Sequence, residues 1–176
     1  MDHNAAQPNA ASYSINLHIP LDVLSNKALQ TAIEIPSESE ARRLLKVVVF
    51  YIGQTQHHFD PRDFSDRLGS FYVNPQDPSH YATPWYLEML LVFAIAKLFA
   101  GEFGGDSTEL PGAHLFEFAQ NRLPTLSELY NQPRLGIELL ALLAVYLQNV
   151  NRKEEAYVYV SIHSARLPLM HPRTSI

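Results

Sequence analysis

Cysteine is absent from the 176 residues. That excludes a disulfide framework, a thiolate nucleophile and every zinc site built on sulfur. It is compatible with a reducing compartment. Basic residues are also scarce, with 13 Lys and Arg against 18 Asp and Glu for a net charge of −5. No basic run is longer than Arg42-Arg43, whereas phosphate contacts need clustered Lys and Arg, so the chain is not expected to bind nucleic acid by itself. Long hydrophobic runs are missing too. Leu87 to Ala100 is 14 residues long and is interrupted by Glu88 and Lys97; Leu135 to Val150 is 16 long and is interrupted by Glu138. A membrane span needs ~20 apolar residues, so both stretches read as buried core helices. Met1 to Ser14 has neither the basic start nor the apolar centre of a secretory leader. No G-x-S-x-G elbow is present, and the glycines at Gly101, Gly104 and Gly105 follow a helical pattern without the Gly-Lys-Ser/Thr of a phosphate loop.

What is present is a 47% apolar sequence of a length suited to one domain with its own hydrophobic core. Residues 1–14 read as a disordered tail, and 15–35 as a linker that could hold a short helix after Pro20. Ser37 and Glu40 form a capping-box pattern. There the hydroxyl accepts from a free amide at the helix start and the carboxylate reaches back. Ala41, Leu44, Leu45, Val48 and Ile52 follow at helical spacing, which predicts a helix to about Gln54 despite the strand-like run Val47 to Phe50. Asp60-Pro61 and Thr83-Pro84 each pair a capping residue with a proline at the first helical position, where its missing N–H had no partner anyway.

The second of these opens a helix to about Ala100, apolar nearly all round and stopped by Gly101. Such a helix belongs in the middle of a fold. Asn74 to Ser79 reads as a polar loop and Gly101 to Gly112 as another. Ala113 to Arg122, Thr125 to Tyr130, Pro133 to about Asn149 and Lys153 to about Arg166 read as further helices. Short connections between them predict an all-α, antiparallel multi-helix array.

Few residues point to chemistry. His57, His58 and Asp60 have ligand side chains, but neighbours on a helix point about 100° apart and no second pair at i, i+4 completes a site. They read as a polar loop with Phe59 buried. Arg152, Lys153, Glu154 and Glu155 read as a solvated face with i, i+3 pairing. The 11% aromatic content is more informative. Tyr146, Tyr157 and Tyr159, with His163 and Arg166 nearby, are either core residues with polar tips at the rim or the lining of a ligand or partner surface. No acid, base and nucleophile are legible together, so the chain is expected not to be an enzyme, and no cofactor or metal is expected in it.

The stretch Pro133 to Arg152 (PRLGIELLALLAVYLQNVNR) followed by Ala156 to Val160 (AYVYV) resembles the middle homology, or regulatory, region of fungal zinc-cluster transcription factors. In that family an apolar helix ending in Tyr-Leu-Gln is joined by a short polar turn to a helix that begins Ala-Tyr. Upstream, Leu44 to Phe64 with Pro61-Arg62-Asp63-Phe64, the helix from Pro84 to Ala100, and Ala113 to Arg122 resemble the family's earlier elements in order. The likeness covers residues 36–171. It implies a partial regulatory domain, with 172–176 as a tail.

Two departures stand out. The six-cysteine zinc module that reads DNA in the family is absent, so DNA binding and zinc hold at family level only. The later family motif, G-x-A-x-R followed by G-L-H-R, is altered between Ser161 and Arg173: Ser161 replaces the glycine and Pro168 stands where alanine is usual. Measured against the family, the chain reads as the N-terminal, truncated part of the domain. The resemblance implies transcription regulation in the nucleus without DNA contacts of its own. The expected partner is a protein, either a zinc-cluster transcription factor or a second copy, with a small-molecule effector compatible with the same fold. A small-ligand-binding helical domain is the alternative.

Overall fold

The computed structural model describes residues 33–52, 58–101 and 110–166, the last without the side chains of 163, 165 and 166. Among the described residues there are eight helices and no strand: α1 (Glu38–Tyr51), α2 (Pro61–Val73), α3 (Pro78–Tyr81), α4 (Pro84–Ala100), α5 (Ala113–Asn121), α6 (Leu126–Asn131), α7 (Pro133–Asn149) and α8 (Lys153–Arg166). The fold is all-α. The expected tails at 1–14 and 172–176 and most of the 15–35 linker lie outside the described residues.

Local chemistry explains the helix starts. Asp60 caps α2 by accepting from the amides of Arg62 and Asp63 at 2.9 and 3.3 Å. Thr83 caps α4, accepting from the Tyr86 amide at 3.3 Å. Each satisfies amides that have no partner inside the first helical turn. At α1 only half of the expected capping box forms. Ser37 Oγ accepts from the Glu40 amide at 3.4 Å, but both Glu40 carboxylate oxygens are taken by the Arg43 guanidinium at 2.7 and 2.8 Å. A bidentate, charge-assisted fork outcompetes a single backbone amide. The complete box lies at α6, where Thr125 Oγ1 accepts from the Glu128 amide and the Glu128 carboxylate accepts from the Thr125 amide at 2.7 Å.

The polar segment at Asn74 to Ser79 is not wholly loop. Asp77 accepts from the Ser79 amide at 2.9 Å and Pro78 opens the single turn of α3, the same cap-then-proline grammar on a smaller scale. The strand-like run Val47 to Phe50 is helical because strand alternation would put Leu44 and Val48 on one face and Ala41 and Leu45 on the other. On the helix all four share the buried face.

The middle of the molecule is α4. Every residue from Trp85 to Ala96 is buried, and α1, α5 and α7 pack on it. Its first turn also receives α2 through rings: Phe64 and Phe71 lie 5.8 and 6.3 Å from Trp85. The approach of α5 to α4 requires Gly112. Its φ is +75°, and a Cβ there would stand 2.6 Å from the Ala94 carbonyl oxygen. Gly101 ends α4 in the left-handed region at φ 66°, as its position predicts.

The turn between α7 and α8 is a Schellman motif built on asparagine. Asn151 has φ 62°; its amide donates to the Gln148 carbonyl at 3.2 Å and the Arg152 amide to the Leu147 carbonyl at 2.9 Å. Those bonds satisfy two carbonyls at the end of α7 and turn the chain so that α8 packs along α7.

Candidate functional site

Two regions combine unusual chemistry with a defined position. The first is α8. Its inner side carries Ala156, fully buried, and half-buried Tyr159 and Ile162. The Tyr159 hydroxyl accepts from Gln120 Nε2 at 3.1 Å, which ties α8 to α5. The outer side, with Glu154, Glu155 and Ser161, also carries apolar residues: Tyr157 is 72% exposed, Val158 55% and Val160 37%. With Gln148 and Lys153, Tyr157 and Val160 line an open groove at the foot of α7 and α8.

The tyrosines singled out from the sequence therefore separate. Tyr146 lies in the core, stacked on Phe116 at 4.2 Å between centroids with 13° between planes. Its hydroxyl donates to the Pro111 carbonyl at 3.4 Å, and burial raises its pKa. Tyr159 faces inward, and only Tyr157 is presented to solvent. The side chains of His163 and Arg166 lie outside the described residues. A core tyrosine and an outward one do not form one surface. Periodicity alone could not separate them, because α7 is apolar on nearly every side and offers no polar stripe to orient it.

The second region was not anticipated. Glu88, on α4, is 4% exposed. Asp63 and Arg67 of α2 and Glu138 and Arg134 of α7 act on it electrostatically. Burial first, and the charge of Glu138 second, push its carboxyl up to about 8. Glu138 is itself raised by burial, although Arg134 opposes this.

Around the two glutamates runs an ionic network. Arg134 Nε lies 3.1 Å from Glu138, and its Nη2 lies 3.5 Å from Asp60 and 3.9 Å from Asp63; Arg67 Nε lies 3.2 Å from Asp63. The sequence held one clue, since Glu88 and Glu138 are the acidic interruptions of the two apolar runs. That both reach the same junction depends on tertiary packing.

Phe59, Asp60 and Arg152 lie as expected. Phe59 is buried and Asp60 is used as a cap, while His57 lies outside the described residues. Arg152 pairs with Glu155 at 2.6 Å across i, i+3. Among the described residues no cluster of three His, Asp or Glu side chains is arranged to hold a metal, and no helix is long and apolar enough to cross a membrane. No family model, curated protein or solved structure matches the chain.

Proposed function

We propose that the chain is a regulatory and interaction domain of transcription-factor type, acting in the nucleus without DNA contacts of its own and without catalysis. In this reading its helices form the antiparallel array of a partial fungal zinc-cluster regulatory domain. The observation that carries the proposal is the outer face of α8. A helix packed on one side of a domain ordinarily turns one apolar stripe inward and polar residues outward. Here Tyr157, Val158 and Val160 face solvent while Ala156, Tyr159 and Ile162 face the core. In the resembling family this helix is followed by more of the domain, so the uncovered side corresponds to a surface that another helix covers.

The occupant proposed is a protein partner of the zinc-cluster class, contributing an apolar helical face. Aromatic anchors with a polar tip, such as Tyr157, are well suited to that use. A small-ligand domain is less well supported. Such sites enclose most of the ligand, whereas the groove at Tyr157 and the one between α1 and α2, lined by Leu45, Val49, Phe50 and Pro61, are both open.

Co-expression of the full chain with zinc-cluster transcription factors of the same organism, followed by co-purification, tests the proposal. Recovery of a stoichiometric complex with one of them is the expected result. Failure with every such factor, or residence outside the nucleus, contradicts it.

A further inference from the structure

The junction of α2, α4 and α7 carries a second inference, independent of the partner proposed above. Glu88 projects from the most deeply buried helix of the molecule, between Trp85 and Met89, with 4% of its surface exposed. Burial at that depth disfavours an ionised carboxylate. The guanidiniums at the junction are engaged elsewhere: Arg67 is paired to Asp63, and Arg134 is shared among Glu138, Asp60 and Asp63. With all groups ionised, Glu88, Glu138, Asp60 and Asp63 would outnumber the guanidiniums of Arg62, Arg67 and Arg134.

The other helices that pack on α4 direct their charges to different places. Glu40 of α1 feels Lys97 near the far end of α4. Arg122, which caps the end of α5, acts on Tyr86, and Glu117 of α5 on Tyr146. The charges that face Glu88 are therefore Asp63 and Arg67 from α2 and Glu138 and Arg134 from α7.

We propose that Glu88 is a proton-operated latch: protonated, it lets α2 and the first turns of α7 close over α4, and ionised, it drives that junction apart against the carboxylate of Glu138. The sign follows from the burial. In the closed form the carboxyl holds its proton to about pH 8, while its ordinary value is 4.5. An opened junction exposes Glu88 to water and restores the ordinary value. Between those limits the closed state binds more protons than the open one, so each unit rise in pH favours opening by about tenfold. Above the upper limit both states are ionised and the dependence ends. The carboxyls whose pKa is lowered by their partners, such as Asp60 and Glu128, titrate below this window, whereas Glu138, also raised by burial, adds a smaller dependence of the same sign.

The test compares the full chain with E88Q, which keeps the shape and removes the titration. Melting temperature is followed from about pH 5 to pH 9. The wild type is expected to lose thermal stability as pH rises through this window and then to level off, while E88Q, which keeps Glu138, declines much less steeply. Native-state amide exchange, corrected for its intrinsic pH dependence, is expected to speed up in α2 and the first turns of α7 more in the wild type than in E88Q. A melting-temperature difference between the two proteins that does not change with pH overturns the proposal. So does a pH-dependent opening that is uniform along the chain. Should E88Q fail to fold, the carboxyl carbon resonance of Glu88 in the wild type decides: titration near 8 supports the latch, and titration near 4.5 overturns it.

Discussion

At the scale of single residues, the interior is specific about volume and polarity. Gly112 can accept no side chain, because a Cβ would lie 2.6 Å from the Ala94 carbonyl oxygen and its φ is positive. Gly112→Ala is expected to cost at least about 2 kcal/mol, from overpacking added to left-handed strain, read as a lowered urea midpoint. Tyr86 gives the opposite case. Its hydroxyl is buried and finds no hydrogen-bond partner among the described residues, and an unmade buried hydrogen bond is itself a penalty. Tyr86→Phe should therefore leave stability unchanged or raise it by about 1 kcal/mol; a loss larger than that in chemical denaturation would show that the hydroxyl has a partner.

Tyr72 behaves differently. Its hydroxyl donates to the Pro36 carbonyl at 2.6 Å, and burial pushes the phenol up to about 12. The unfolded phenol ionises near 10, so this group's contribution is full below that pH and is lost as pH rises toward 12. An alkaline melt of Tyr72→Phe should decline less steeply than the wild type over that range.

At the scale of elements, the helix starts were the most legible part of the sequence, since caps are local and the partner of a free amide sits two or three residues away. Asp60-Pro61 and Thr83-Pro84 read directly. The Thr125-x-x-Glu128 box was equally local and carries the full reciprocal pattern, while the Ser37 box lost its carboxylate to Arg43. Asp77-Pro78 shows that the same grammar can close a single turn inside a loop. The end of α7 depends on Asn151, one of the few residue types that enters the left-handed region readily. Asn151→Gly should preserve stability to within about 0.5 kcal/mol, and Asn151→Val should lose more than about 1 kcal/mol. If both variants melt alike, the backbone of this turn is not what joins α7 to α8. What the sequence could not show is the facing of helices that are apolar all round. Nothing in the spacing of Pro133 to Asn149 separates Tyr146, which packs on Phe116, from a residue at the rim, and nothing local brings Glu88 to Glu138.

At the scale of the whole molecule, the account rests on how the apolar surface is distributed. The core is continuous from α1 through α4 to α7, yet α8 spends apolar residues on both of its sides. Isolated exposed hydrophobics are ordinary on any protein. Three of them on one helix, beside a groove, are what the proposed partner would cover. Because these side chains contribute little to the fold, replacing them should move stability by no more than about 0.5 kcal/mol. The most direct measurement is the affinity of a co-purifying zinc-cluster factor for the full chain and for the double variant Tyr157→Ser, Val160→Ser, made alongside their melting temperatures. The account predicts that the variant melts with the wild type and binds at least about tenfold more weakly, as loss of an aromatic anchor implies; equal affinity at equal stability would contradict it.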